Sequence, residues 1–251
     1  MMRIALIILW SFIASAAAVA QAAEKPVSIV LVHGAFVDGS GWKAVFDMLT
    51  AEGYEVLPVQ NPTISLSGDV AATEQVIAAA RHPVILVGHS YGGMVITQAG
   101  DDPKVQGLVY IAAFAPDAGE SVASLAEQAP PPGESAAPLL PPHDGYLLVD
   151  PTKFPTAFAA DVDASITHFM AAAQVPWGLE AVRAPITKVA WKTKPSHFMV
   201  TTEDRMIPPT FQRAFAKRAG ARTIEIRSSH AVMLAHPHEV ATFIGNAAGV
   251  Q

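Results

Sequence analysis

Short apolar runs alternate with segments of helical periodicity along most of the chain. Residues 27–32 form an almost continuous apolar run, which is typical of a strand buried on both faces. Residues 42–52 then carry apolar side chains every third or fourth position, the spacing of one helix face. Repeated alternation of this kind predicts an α/β fold with a doubly wound, mostly parallel sheet. The predicted strands span residues 27–32, 54–59, 84–87, 107–111, 197–202 and 222–227, and the predicted helices span residues 42–52, 69–80, 92–99, 208–219 and 237–247.

The alternation breaks between about residues 116 and 195, where prolines punctuate a stretch too long for a simple connection. Connections of this length in a compact domain are usually functional segments or linkers. We therefore predict a cap segment inserted over the carboxyl edge of the sheet. Its aromatic side chains suit a substrate pocket, although most of them must also pack the cap onto the sheet. The residues predicted to bind substrate are Phe158, Phe169 and Trp177 of the cap, with Phe36 from the loop after the first strand.

One turn joins a predicted strand directly to a predicted helix. It carries Gly88, Ser90 and Gly92 in the pattern Gly-x-Ser-x-Gly, after the aliphatic run at residues 84–87. In this context the pattern predicts a nucleophile elbow, a strained turn that lifts a serine hydroxyl clear of the sheet. Side chains at the two glycine positions would crowd the neighbouring backbone. The alternative is a glycine-rich structural turn, which the flanking strand and helix disfavour.

A nucleophilic serine needs a base within hydrogen-bond reach, and that base needs an orienting acid. After such an elbow the acid and then the histidine follow in the chain, each just past a strand. His230 comes three residues after the last predicted strand and is the candidate base. Asp204 lies in the turn after the preceding strand and is the candidate acid, with Glu203 as its rival. The alternative for Asp204 is an ion pair with Arg205.

Two backbone N–H groups are predicted to stabilise a negative charge that forms beside Ser90. One belongs to Tyr91, which follows the serine, and the other to Ala35, in the loop after the first predicted strand. Phe36 replaces Ala35 as donor if that loop is shifted by one residue. The predicted site therefore lies at the carboxyl edge of the sheet, where ligands collect in open α/β folds.

Composition narrows the possible functions mainly by exclusion. The chain has 251 residues, enough for one α/β domain, with a formal net charge of −6 and no basic cluster. This balance disfavours nucleic acid and anionic membrane surfaces as partners. The absence of cysteine excludes disulfides, thiolate catalysis and cysteine–metal sites. His236 and His238 have no third ligand nearby in the sequence, so helix capping is the preferred interpretation, and no cofactor or metal is expected.

Residues 1–23 have the composition of a signal peptide. Arg3 precedes an apolar stretch, and Ala20, Gln21 and Ala22 have the small-x-small form of a signal peptidase site. Cleavage there leaves a domain of residues 24–251 that is predicted to be periplasmic or secreted, without membrane association. An uncleaved anchor is the alternative, because the apolar stretch is about long enough to span a bilayer.

Four segments together resemble the α/β-hydrolase superfamily. They are residues 33–35 (HGA), 88–93 (GHSYGG), 202–208 (TEDRMIP) and 229–234 (SHAVML). The chain is most similar to the branch that holds methyl-salicylate esterases and hydroxynitrile lyases, together with small bacterial esterases. The resemblance covers nearly all of the mature chain and is weakest in the cap. It implies the α/β-hydrolase fold, a triad of Ser90, Asp204 and His230, and oxyanion donors at Ala35 and Tyr91.

The predicted function is a serine hydrolase that cleaves small apolar carboxylic esters or lactones through an acyl-enzyme intermediate. The alternative is an acid–base lyase, or a cofactor-free oxygenase or haloperoxidase, that uses the same triad without acylation. Hydroxynitrile lyases of the branch carry a lysine after the catalytic histidine, and here that position is Ala231. A non-catalytic receptor is the third hypothesis, which an intact triad disfavours. The predicted partner is a small-molecule ester, and nothing in the sequence indicates an oligomeric state.

Overall fold

The computed structural model describes residues 24–249, so the predicted signal segment, residues 1–23, lies outside the described residues. The strands in this range are β1 (Ser28–Val32), β2 (Glu55–Val59), β3 (Val84–His89), β4 (Val105–Ile111), β5 (Tyr146–Leu147), β6 (Trp177–Gly178), β7 (Ser196–Thr201) and β8 (Arg222–Ile226). Within the described chain, six of them form one parallel sheet in the order β2-β1-β3-β4-β7-β8. The predicted α/β fold with a doubly wound sheet is therefore confirmed.

Helices cover both faces of this sheet and also build the segment between β4 and β7. In chain order they are α1 (Lys43–Ala51), α2 (Leu66–Ala79), α3 (Gly92–Ala99), α4 (Val122–Ala126), α5 (Phe154–Phe158), α6 (Ala164–Ala172), α7 (Leu179–Arg183), α8 (Pro209–Arg218), α9 (Val232–Ala235) and α10 (Pro237–Gly249). The helix predicted over residues 69–80 begins earlier, at Leu66, because the Ser65 hydroxyl accepts a hydrogen bond from the Gly68 N–H at 3.2 Å and caps it.

The sheet separates two hydrophobic cores, and the central strands contribute alternate side chains to each. On β1, Val30 and Val32 face the core built with α2, α3 and the cap, while Ile29 and Leu31 face the core built with α1 and α10. Successive side chains of a strand point to opposite faces, so a strand covered on both sides must be apolar at every position. This is the physical reason for the continuous apolar run in the sequence.

The cap is formed by the chain between β4 and β7, and its secondary structure is less regular than that of the sheet. It contains the short helices α4 to α7, joined by long irregular connections, and the antiparallel pair β5 and β6. Isolated bridges tie it to itself and to the body, for example between Val175 and Phe36. No helix within residues 24–249 has both the length and the apolar character needed to cross a bilayer.

Candidate active site

Ser90 lies in a strained turn between β3 and α3. Its backbone φ is +56°, a left-handed conformation that non-glycine residues seldom adopt. A Cβ on Gly88 would lie 2.6 Å from the Gly92 carbonyl oxygen, and one on Gly92 would lie 2.8 Å from the Val32 carbonyl oxygen. The expectation that this turn tolerates no side chain at either glycine is confirmed. Strain of this kind persists only where the surrounding structure imposes it, and it clusters at functional sites.

Hydrogen bonds pin the strained serine to the neighbouring strand. The Ser90 N–H donates to the Ile111 carbonyl at 3.2 Å, at the end of β4. Its own carbonyl accepts from the N–H groups of Gly93 and Phe114, at 3.0 and 3.2 Å. The backbone of the turn is therefore held on both sides of the serine, and its hydroxyl is left at the carboxyl edge of the sheet.

Asp204 and His230 form a buried pair at the ends of β7 and β8. His230 Nδ1 lies 2.7 Å from Asp204 Oδ2, and both side chains are essentially inaccessible to solvent. An ionised carboxylate only accepts, so this contact makes Nδ1 the protonated nitrogen and leaves Nε2 as the acceptor on the neutral ring. The two side chains were predicted from strand ends 26 residues apart, and the structure brings them together.

The Asp204 carboxylate is fully engaged by its own turn and by α8. Its Oδ1 accepts the N–H groups of Met206 and Ile207, at 2.7 and 2.9 Å. Its Oδ2 also accepts the Thr201 hydroxyl at 2.9 Å and the Gln212 amide at 2.8 Å. These donors orient the carboxylate and offset the cost of burying it.

The alternatives for this acid are resolved by the same geometry. Glu203 points away and pairs with Arg227 at 2.6 Å on the surface. Within the described residues, Asp204 forms no ion pair with Arg205, so the alternative that the sequence left open is not realised. Neighbouring side chains on an extended segment leave on opposite sides, so one of the two carboxylates faces the histidine.

The turn that carries His230 is also held from the elbow side. His89, the residue before Ser90, donates its Nε2–H to the His230 carbonyl at 2.9 Å, and the two rings lie 4.6 Å apart. Burial lowers the pKa of His89 well below its usual value, and the nearby His230 imidazole disfavours a second positive charge there. His89 is therefore a neutral donor that links the elbow to the histidine turn.

The structure connects the histidine to the residue before the serine, His89, and not to the serine hydroxyl itself. Across residues 24–249, no hydrogen bond joins the Ser90 hydroxyl to His230. The hydrogen bond from the His89 side chain to the His230 carbonyl ties the serine turn to the histidine turn. Catalytic hydrogen bonds are often long in ligand-free enzymes and tighten in the complex with substrate.

The predicted oxyanion donors lie on either side of Ser90. Ala35 and Tyr91 are both buried, and neither backbone N–H donates a hydrogen bond to any described residue. Phe36, next to Ala35, has a φ of +68°, so this loop is strained as well. Buried N–H groups without a partner are rare in native structures and call for an explanation.

The Tyr91 side chain is anchored to a buried carboxylate on α2. Its hydroxyl donates to Asp69 Oδ2 at 2.6 Å, and Asp69 Oδ1 accepts the Thr63 N–H at 2.7 Å. The Thr63 carbonyl in turn accepts the Gly178 N–H of the cap at 2.9 Å. Burial raises the pKa of Asp69, and burial together with the Asp69 charge raises the pKa of Tyr91. This network connects the elbow to the cap.

An apolar cavity of about 170 Å³ opens beside Ser90. Its walls are formed by the loop that carries Ala35 and Phe36, by α4 and the proline-rich part of the cap, and by the turn after Asp204. Two of the four predicted substrate-binding residues, Phe36 and Trp177, line it, and their rings pack edge to face at 5.5 Å. No charged side chain is among the described residues that line this cavity.

The other two predicted substrate-binding residues lie elsewhere. Phe169 is 71% exposed on α6 and borders a separate surface groove. Phe158 is buried behind the histidine, with its ring edge-on to that of His230 at a centroid distance of 4.9 Å. The sequence alone could not separate these four aromatics. The cap has no regular periodicity, so the direction in which each of its side chains points cannot be read from the local sequence.

Several residues that shape the site carry no signal in the sequence. Gln212 and Thr201 hold Asp204, Asp69 anchors Tyr91, and Asp161 of the cap binds the histidine turn. No spacing rule links these positions, since each contact is formed by chain folding alone. His236 lies just before α10 and faces Asp161 at 3.6 Å, and no described group of three ligating side chains is arranged to hold a metal ion.

A sequence model described as the alpha/beta hydrolase family matches residues 29–243. The chain therefore belongs to the alpha/beta hydrolase family, as the resemblance implied. It is 30% identical over 239 residues to the carbendazim-hydrolysing esterase of Nocardioides sp. strain SG-4G, covering 85% of this chain and 96% of that protein. The protein is thus an α/β hydrolase with an esterase among its relatives.

Solved structures share the same fold. A pyrethroid hydrolase from Sphingobium faniae JZ-2 superposes with a TM-score of 0.76 at 22% identity, over 89% of this chain and 98% of that one. An extracellular α/β-hydrolase from a Paenibacillus species, described as sharing homology with tobacco salicylic acid binding protein 2, gives a TM-score of 0.73 at 20% identity, over 88% and 99%. At these identities the likeness concerns the fold.

Proposed function

We propose that this protein is a serine esterase that hydrolyses small, apolar, uncharged carboxylic esters or lactones through an acyl-enzyme. The observation that carries this proposal is the buried 2.7 Å contact between His230 Nδ1 and Asp204, next to a strained serine turn. The histidine lies in a turn that His89 links to the serine elbow, and Ser90 lines an apolar cavity. A nucleophilic serine, a histidine base and an orienting carboxylate are the groups that acyl transfer to serine requires.

The reaction follows from the roles of these atoms. Ser90 Oγ attacks the ester carbonyl while His230 Nε2 takes the hydroxyl proton. The same nitrogen then returns the proton to the leaving alcohol, and the acyl group stays on Ser90. Water attacks the acyl-enzyme with His230 again as base, and the acid is released. Asp204 keeps the proton on Nδ1 and stabilises the imidazolium that forms in each half-reaction.

The negative charge on the carbonyl oxygen is assigned to the N–H groups of Ala35 and Tyr91. Both are free of other hydrogen bonds within residues 24–249, and both flank Ser90. Preorganised donors of this kind contribute on the order of 3 kcal/mol each to transition-state stabilisation. A bound oxyanion would thus accept hydrogen bonds from two buried N–H groups that have no other acceptor among the described residues.

The character of the cavity supports the substrate class. Its lining is aliphatic and aromatic, with Ser90 and Gln128 as the polar side chains among the described residues. A charged acyl or alcohol group would lose its hydration there without gaining an ion pair. The relative named as a carbendazim-hydrolysing esterase and the fold neighbour named as a pyrethroid hydrolase are both hydrolases, which is consistent with the proposed reaction class.

The test combines turnover with covalent trapping. Hydrolysis of p-nitrophenyl butyrate should fall on the order of 10⁶-fold in kcat for Ser90→Ala. The matched control is Ser67→Ala, an exposed serine on α2, which should retain wild-type activity. A fluorophosphonate should add its mass to the peptide that contains Ser90. Ester hydrolysis that survives Ser90→Ala would contradict the proposal, and labelling without ester turnover would favour the lyase or oxygenase alternative.

Export is a separate part of the proposal and rests on residues 1–23 alone. Expression of the full chain in a Gram-negative host should deliver active protein to the periplasm or the medium. Amino-terminal sequencing of that protein should begin directly after Ala22 or Ala23. Recovery of an intact chain from the membrane fraction would instead support the uncleaved anchor.

A further inference from the structure

We propose that Asp161, in the cap between α5 and α6, is a positioning residue for His230. This inference rests on the proposed role of His230 as the base. Asp161 touches neither Ser90 nor the cavity beside it, and it acts through the turn that carries the histidine. The cap would then serve the chemistry as well as the pocket.

The Asp161 carboxylate accepts hydrogen bonds from the two residues that precede His230. Its Oδ2 accepts the Ser228 hydroxyl at 2.8 Å and the Ser229 N–H at 3.0 Å. Its Oδ1 accepts the Ser229 hydroxyl. The Ser229 N–H has no other acceptor in the described part of the chain, so the backbone just before the histidine is bound by this carboxylate.

The same cap segment also binds the residue that follows His230. The Phe158 carbonyl accepts the Ala231 N–H at 2.9 Å, and the Phe158 ring meets the His230 ring edge-on at 82°. Residues 158–161 therefore form hydrogen bonds with the chain on both sides of His230. The body contributes its own contacts: Asp204 and His89 reach the ring and the carbonyl of His230, and the Glu203 N–H donates to the Ser228 carbonyl at 3.1 Å.

The ionised form of Asp161 suits this role. Burial works to raise the pKa of Asp161, but the hydrogen bonds from Ser229 and Ser228 outweigh it and the pKa is lowered. Bonds to a charged acceptor are roughly twice as strong as neutral ones. His236 Nε2 lies 3.6 Å from the carboxylate. The side chain is 27% exposed, so its replacement does not open a sealed core.

The mechanism of this effect is geometric. The His230 Nε2 must approach the Ser90 hydroxyl closely enough to take its proton, and no such hydrogen bond is present among the described residues. A displacement of about 1 Å in a reacting group can cost on the order of 100-fold in rate. Loosening the turn before the histidine should therefore slow the chemical step without altering the cavity that binds the substrate.

The test uses Asp161→Ala and Asp161→Asn with p-nitrophenyl butyrate as substrate. For Asp161→Ala, kcat should fall about 10- to 100-fold while KM changes less than about twofold. Asp161→Asn keeps the size and one acceptor oxygen, so it should recover part of that loss. The rate of labelling by a fluorophosphonate should fall in parallel with kcat, because both reactions need His230 to take the serine proton.

Asp163→Asn is the matched control. Asp163 lies two positions further along and accepts hydrogen bonds from Ser165 at the start of α6, away from the histidine turn. It should leave kcat, KM and the labelling rate unchanged. A wild-type kcat in Asp161→Ala, or a change in KM alone, would overturn the inference.

Loss of folding is distinguished from loss of positioning by circular dichroism and the melting temperature. If Asp161→Ala does not fold, Ser229→Ala removes one donor to the carboxylate and keeps the N–H contact. It should then show a smaller fall in kcat with KM unchanged, and a wild-type kcat overturns the inference. Failure of the proposed function has a different signature, which is ester hydrolysis by Ser90→Ala.

Discussion

The sheet and the cap both hold the histidine turn, but they do so with different kinds of structure. The sheet delivers Asp204 and His230 at the ends of adjacent parallel strands, whose register is fixed by backbone hydrogen bonds. The cap delivers Asp161 and Phe158 from a short helix and an irregular connection, and it holds the turn through the Asp161 carboxylate and the carbonyl and ring of Phe158. The strands thus place Asp204 and His230, while the cap adds contacts around the histidine and one part of the cavity wall.

This division predicts that damage to the body stops the chemistry, whereas damage to the cap alters rates and specificity by smaller factors. A hydrogen-bonded network also joins the two regions, from Tyr91 through Asp69 and Thr63 to Gly178.

The largest effect is expected for Asp204→Asn in the body. An amide at this position can donate to the ring and favour the wrong tautomer of His230, so kcat should fall about 10⁴-fold with little change in folding. The matched control is Glu203→Gln, which alters a surface pair with Arg227. Its kcat should stay within about twofold of wild type. Steady-state kinetics of both variants check this, and a reversed ranking would make Glu203 the acid.

A smaller effect is expected for Trp177→Ala in the cap. The Trp177 ring lines the cavity and packs against Phe36 and Tyr91, at 5.5 and 5.2 Å, so kcat/KM for apolar esters should fall about tenfold. Most of the change should lie in KM and should grow with the bulk of the ester. Phe169→Ala removes an exposed cap aromatic outside the cavity and should leave KM unaltered. Equal effects of the two variants would contradict the structure's separation of these residues.

A modest effect on stability is expected for Asp69→Asn in the connecting network. Burial raises the pKa of Asp69, so the folded state binds its proton more tightly than the unfolded state does. Wild-type protein therefore gains stability relative to Asp69→Asn as the pH falls through the raised pKa, and loses that advantage above it. Urea unfolding of both proteins from pH 7 to pH 4 measures this difference. A difference with the opposite slope would show that the folded state prefers the charged carboxylate.

The smallest effect is expected for Glu55→Gln, on the edge strand β2. Burial works to raise the pKa of Glu55, but hydrogen bonds from Ser28 and Arg81 lower it to about 2. The stability that Glu55 contributes is present above its unfolded pKa and is lost as the pH falls from there toward 2. Acid unfolding curves should therefore be shallower for Glu55→Gln. Activity at pH 7 should not change, because this carboxylate is remote from the cavity.

Local patterns in the sequence predicted the sheet and the chain positions of the candidate triad. Gly88, Ser90 and Gly92 stand between a strand and a helix, and that context alone indicated a strained turn. Strand-end positions indicated His230, and the structure pairs it with Asp204 rather than Glu203. Broken periodicity indicated an insertion in the cap region, and of its three chosen aromatics Trp177 lines the cavity beside Ser90, whereas Phe158 and Phe169 lie outside it.

The sequence by itself determined which residues lie at strand ends, because hydrophobic alternation and turn chemistry act over a few neighbouring positions. The tertiary structure decided which side chains meet across the fold: Gln212 with Asp204, Asp69 with Tyr91, and Asp161 with the histidine turn. These contacts join positions far apart in the chain. They form only when packed layers bring those positions within hydrogen-bond distance, and no local pattern encodes that approach.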